Sequence, residues 1–145
     1  MPTVADIISK KGSTVHTISP GATVLEATNK MNQHKLGALI VMNDGQLVGM
    51  FTERDVLRRV IGEQRDPATT RIAEVMTGDV ICCSPRTDMD EVSQIMQQRR
   101  VRHIPVCDDD GKLHGLVSIG DVNAYHVTHQ EATIEYLNEY IYGRA

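Results

Sequence analysis

Gly49-Met50-Phe51-Thr52-Glu53-Arg54-Asp55 is answered later in the chain by Gly115-Leu116-Val117-Ser118-Ile119-Gly120-Asp121. Each stretch is a glycine, a short apolar run, a hydroxyl residue and, three residues on, an aspartate. The apolar run reads as a strand. The hydroxyl–carboxylate pair reads as the start of a helix, because such a pair caps the first free amides. A strand entering a helix in this way, twice in one chain, is the feature from which the rest of the reading follows.

Working outward, the similarity extends well beyond the two stretches. From Ser19 to Asp44 the chain matches itself at an offset of 65, in Ser19/Ser84, Pro20/Pro85, Glu26/Glu91, Met31/Met96, Gln33/Gln98, Val41/Val106 and Asp44/Asp109. With Asp110 as one extra residue, Gly45/Gly111, Leu47/Leu113, Gly49/Gly115, Asp55/Asp121 and Val56/Val122 follow. That is 12 identities in 38 positions, where chance gives about 2–3 for an ordinary composition. Val4-Ala5-Asp6-Ile7-Ile8 and Ile72-Ala73-Glu74-Val75-Met76 correspond ahead of each copy.

The pattern within each copy is β-α-β-β-α. Val15–Ile18 and Val80–Cys83 are β-prone runs that end at Ser-Pro, where the proline disfavours continuation. Val24, Ala27 and Met31, and likewise Met89, Val92 and Met96, recur at helical spacing. Leu39–Met42 and Ile104–Cys107 read as strands. Asn43-Asp44-Gly45 and Asp109-Asp110-Gly111 supply hairpin turns, and Leu47–Phe51 and Leu113–Val117 return. The fold class is mixed α/β (α+β), two such repeats forming a pseudo-twofold pair. The expected organisation is residues 1–69 for the first repeat with its N-terminal helix and linker, 70–127 for the second, and 128–145 for a C-terminal amphipathic helix. Residues 62–70 are polar and read as the linker. A unit of about 60 residues is marginal alone, so the two are expected to share apolar faces.

The 145 residues carry 15 basic and 19 acidic side chains. The mild acidity and an aromatic content of 3% argue against a nucleic-acid binder. No apolar run is long enough for a membrane span, and the N-terminus does not read as a signal peptide. Cys82, Cys83 and Cys107 are expected to be reduced thiols in a cytoplasm. Cys82-Cys83 reads as inert small hydrophobes ahead of a redox switch. No spacing supports a metal site. Ser118, His103 and Asp121 lack the context of a catalytic triad, so no catalytic residue is expected. The tail helix places Ile134, Leu137 and Ile141 on one face with Tyr136, Tyr140 and Tyr142 nearby, ahead of a stop at Gly143. That face suits either packing on its own domain or a homodimer.

With its doubled Gly-h-h-[ST]-x-x-Asp segments, strand-Ser-Pro openings, Gly37-Ala38-Leu39-Ile40-Val41 and Arg102-His103-Ile104-Pro105-Val106, the chain resembles a tandem pair of CBS (cystathionine β-synthase-type) domains, a Bateman module, over residues ~4–127. The resemblance implies a regulatory module that binds an adenosine-containing ligand between the repeats and signals to an effector protein. AMP is the first candidate, with ADP, ATP, NAD and S-adenosylmethionine behind it. It implies that Ser118 and Asp121 hold ribose and phosphate in one cleft, with Arg102 and His103 at the phosphates and Thr17 and Leu36-Gly37-Ala38 framing adenine. The other cleft would use Thr52, Arg54 and Asp55 opposite Cys82 and Val101-Arg102-His103. Cys82 stands where a small hydroxyl residue is usual, so the Ser118/Asp121 cleft is preferred. The competing readings are an oligomerisation module in which both pairs only cap helices, and, last, a small enzyme.

Overall fold

The computed structural model describes residues 2–142; beyond Thr128 the side chains described are those of Gln130, Ile134 and Leu137. Gly143 and the side chains of Tyr136, Tyr140, Ile141 and Tyr142 lie outside the described residues. The first helix, α1 (Val4–Lys11), opens on a capping box in which Thr3 N–H donates to Asp6 Oδ2 at 2.9 Å. The first repeat follows as β1 (Thr17–Ile18), α2 (Val24–His34), β2 (Ala38–Asn43) and β3 (Gln46–Thr52). A single helical turn, α3 (Glu53–Asp55), then widens into a π-helix over Val56–Ile61. The second repeat has α4 (Ile72–Val75) ahead of it and contains α5 (Met89–Arg99), β4 (His103–Cys107), β5 (Leu113–Ser118) and α6 (Ile119–Tyr142).

The apolar triplets do bury: Val24, Ala27 and Met31 in the first repeat, Met89, Val92 and Met96 in the second. In the first sheet β1 runs parallel to β2, which pairs antiparallel with β3, Ala38 opposite Thr52. In the second, β4 pairs antiparallel with β5, His103 opposite Ser118. Both hairpins carry an irregularity at equivalent positions, between Val41 and Met42 and between Val106 and Cys107. The strand expected over Val80–Cys83 shrinks to one parallel bridge, Cys83 to Val106. The strand expected over Val15–Ile18 keeps only its last two residues.

The core is not one shared face. Two buried clusters form, one per repeat, and each takes in the helix that precedes the other repeat. Val4 of α1 is fully buried with Met89, Val92 and Ile104 of the second repeat. Ile72 and Val75 of α4 are buried with Val24, Leu39 and Phe51 of the first. Backbone bonds fasten the exchange: Val4 N–H donates to Thr87 O at 2.9 Å, and Ile72 N–H donates to Ala22 O at 2.9 Å. The two motif glycines receive the exchanged segments. A Cβ on Gly115 would lie 2.6 Å from Ile8 Cδ1; one on Gly49 would lie 2.7 Å from Met76 Sδ and 2.8 Å from Thr77 O. At Gly49 the near neighbour includes a backbone carbonyl, so the fold needs a bare backbone there; at Gly115 it is the end of one side chain. α6 is continuous from the strand end to Tyr142, so the closing helix of the second repeat and the tail helix are one element.

Candidate functional site

The two hydroxyl–aspartate pairs have the same local geometry. Thr52 N–H and Oγ1 donate to Asp55 Oδ2 at 3.0 and 3.2 Å. Ser118 N–H and Oγ donate to Asp121 Oδ2 at 2.8 and 3.1 Å. Each helix start is tied to the residue just ahead of the other hairpin strand: Glu53 N–H donates to Gly37 O at 3.1 Å and Ile119 N–H to Arg102 O at 2.8 Å. Local sequence therefore builds two equivalent corners.

What surrounds the corners is not equivalent. At Asp121, the exchanged helix delivers Lys11, whose Nζ lies 2.7 Å from Asp121 Oδ2 and donates to Leu116 O at 2.8 Å. An ammonium therefore already stands against the carboxylate of the cleft that the sequence reading preferred. At Asp55, the position equivalent to Lys11 is Asp79, and there a cavity of about 400 Å³ opens. That volume lies within the range of small-molecule sites. The cavity is walled by Met50, Leu57, Val80, Ile81 and Val101, with Thr52, Glu53, Arg54, Asp55, Arg58, Thr77, Asp79, Arg102 and His103 as its polar lining. The π-helix contributes Leu57 and Arg58.

Of the residues singled out from sequence, Gly37, Thr52, Arg54, Asp55, Arg102 and His103 line this cavity. Thr17, Leu36, Ala38, Cys82, Ser118 and Asp121 do not. Thr17 is in β1, where its carbonyl accepts from Lys30 Nζ. Leu36 packs partly buried on the first cluster, and Ala38 is buried in β2. Cys82 turns away to face Cys107. Arg54 is spent on the Arg100 carbonyl at 2.9 Å. Sequence reading missed Lys11, Glu53, Arg58, Thr77 and Asp79. Arg58 and Glu53 stand beside the motif and were open to inspection. Lys11 was not, because it reaches Asp121 only through the helix exchange.

Asp55 is 6% exposed. Its Oδ1 accepts from Thr77 Oγ1 at 3.3 Å and lies 3.6 Å from Arg59 Nε. Burial holds the His103 imidazole below its ordinary value, against the pull of Glu53; Lys11 and Arg102 add to the lowering and Asp121 opposes it. His103 is therefore a neutral group near pH 7, lying between both corners. Among the described residues, the guanidinium groups of Arg58 and Arg102 make no ion pair or hydrogen bond. No three His, Cys, Asp or Glu side chains converge as metal ligands among the described residues. No helix among them is long and apolar enough to cross a membrane.

The comparisons agree with the doubled architecture. The model of the CBS domain matches twice, over residues 4–62 and 72–127. The chain belongs to the CBS domain family. As a CBS pair it is 36% identical to the mitochondrial CBS domain-containing protein CBSX3 of Arabidopsis thaliana, over 97% of this chain and 72% of that one. It is 35% identical to the CBS domain-containing protein YhcV of Bacillus subtilis, over 81% of this chain and 83% of that one. A solved CBS-domain-containing protein of Agrobacterium tumefaciens superposes with a TM-score of 0.81 at 35% identity, covering 86% of this chain and 99% of that one. CBS pairs of this kind are generally non-catalytic regulatory modules, and CBS domains commonly bind adenosine-containing ligands and often oligomerise.

Proposed function

We propose that this CBS pair is a regulatory module that takes one adenine nucleotide, AMP in first place, in the Thr52/Asp55 cavity. The observation that carries the reading is the pair of uncommitted guanidinium groups, Arg58 and Arg102, on a cavity that also offers an apolar wall of Met50, Val80, Ile81 and Val101. Met50, Val80, Ile81 and Val101 suit the faces of a purine. Asp55 suits the ribose diol, which would take the place of the Thr77 hydroxyl. Arg58 and Arg102 suit a phosphate, as charge-assisted donors. At the other corner Lys11 fills the equivalent place, which supports one occupied cleft. Ligand binding would bias how the repeats pack, through differential affinity for two arrangements, and an effector protein would read the result. The three free thiols suit a reducing compartment such as a cytoplasm.

A second reading, an oligomerisation module with empty clefts, draws on the saturation of Asp55 by partners within the chain. Calorimetric titration with AMP separates the two. The expected result is one site per chain, weakened about tenfold or more by Arg102→Ala or Arg58→Ala, since a bond to a charged group is worth about 1.5–3 kcal/mol. Adenosine should be indifferent to both substitutions. Lys11→Ala should raise the number of sites from one to two, with stability changed by under about 1 kcal/mol because the pair is partly exposed. Absence of binding by AMP, ADP, ATP, NAD and S-adenosylmethionine alike would leave the oligomerisation reading.

A further inference from the structure

The stretch 79–83 has two sides. Asp79, Val80 and Ile81 line the nucleotide-sized cavity, while Asp79, Val80 and Cys82 line a second, open hollow together with Cys107. Only its last residue is fastened to the sheet: Cys83 N–H donates to Pro105 O at 2.9 Å, and Cys107 N–H donates to Cys83 O at 2.9 Å. Among the described residues, no backbone hydrogen bond holds 79–82. Side chains alternate along an extended segment, so Cys83 enters the second core and Cys82 faces the other way. The irregularity after Val106 falls at Cys107. The outcome is a thiol–thiol contact, Cys107 Sγ–H donating to Cys82 Sγ at 3.8 Å, with Cys82 exposed and Cys83 buried.

The geometry points to Cys82 and Cys107 as an oxidisable dithiol, closed to a disulfide by a peroxide, that tethers the cavity wall 79–83 to β4. Cys82, exposed and accepting the Cys107 S–H, is the sulfur that meets the oxidant. Its thiolate attacks one peroxide oxygen, the O–O bond breaks, and the departing hydroxide takes a proton and leaves as water. The product is a sulfenic acid. Cys107 gives its proton to solvent and attacks the Cys82 sulfur; the S–O bond breaks and a second water leaves. Two thiols and one hydrogen peroxide thus become one disulfide and two waters, with two electrons passing from sulfur to peroxide.

Burial pushes the Cys107 thiol up to about 11 and the Cys83 thiol up to about 12. Cys83, inside the core, is a bystander. A disulfide needs the sulfurs roughly 1.8 Å closer than their 3.8 Å separation. The unfastened backbone of 79–82 is the part free to move. Any strain left in the bond makes it easier to reduce, as suits a reversible link.

The test is peroxide treatment of the reduced full chain under native conditions, then alkylation and peptide mapping. The expected product is a Cys82–Cys107 cross-link lacking two hydrogens, reversed by dithiothreitol, and formed equally by Cys83→Ser. Cys107→Ser should stop at a Cys82 sulfenic acid that dimedone traps. Amide exchange at 79–82 should slow in the oxidised chain. A wild-type chain that proceeds to Cys82 sulfinic acid with Cys107 still alkylated overturns the dithiol. So does a disulfide between Cys82 residues of two chains, or between Cys82 and Cys83. A Cys82–Cys107 bond with unchanged exchange at 79–82 overturns the tether.

Discussion

His103 feels groups from both corners at once: Glu53 on one side, Lys11 and Asp121 on the other. Because burial lowers its folded-state value, the unfolded chain takes the proton first as pH falls through its ordinary value near 6.5. The stability this residue contributes is thus present above that pH and is lost as pH drops below it. His16, stacked on His34 with ring centroids 4.0 Å apart, is displaced in the same direction by burial, His34 and Lys30. The urea midpoint is therefore expected to fall between pH 7.5 and 5.5, and His103→Gln to flatten part of that fall. An undiminished slope in the variant would assign the effect elsewhere. At this scale, sequence legibility followed distance along the chain. Thr52 with Asp55, and Ser118 with Asp121, are neighbours three apart, and their bonds could be read directly. The Lys11–Asp121 contact spans 110 residues, and nothing in the local pattern announces it. That one contact sets an ammonium at the corner the sequence reading preferred.

Among the elements, the hairpins and the α2 and α5 faces were legible because turn chemistry and apolar period are local. Asp44 and Gly45, with φ of 51° and 77°, adopt the turn their residue types suggest. Val80–Cys83 has the composition of a strand but only Cys83 reaches a partner; its other residues are taken up by the two hollows. The π-helix was not legible either. Gly62 N–H donates to Leu57 O at 2.9 Å, five residues back, and the wider turn carries no periodic mark. The motif glycines make a quantitative contrast. Gly49→Ala would press on the Thr77 carbonyl, a backbone atom, whereas Gly115→Ala would press on the end of the Ile8 side chain. Gly49→Ala is expected to cost about 1–3 kcal/mol, as overpacking does, and Gly115→Ala less. Urea denaturation of the two variants measures the difference; equal losses would mean that the segment at Thr77 gives way as easily as a methyl group.

For the whole molecule, the duplication revealed a pair of repeats but not the exchange of their opening helices, since either helix could have packed at home. Nor did it reveal that two clusters replace one core. On α6, Ile134 and Leu137 remain 56% and 47% exposed among the described residues. Ile134→Glu with Leu137→Glu tests whether a second copy covers this face: a mass that falls to that of one folded chain in light scattering coupled to gel filtration is the expected outcome, and an unchanged mass rules the face out as a contact between copies. The exchange also bears on the order of synthesis. Val4 leaves the ribosome well ahead of Met89, Val92 and Ile104, which build its pocket. At the usual 5–20 residues per second, α1 waits roughly 5–20 s for its site to exist. α1 is made ahead of its own site and settles only after it, with its apolar side what a chaperone would meet in the interval.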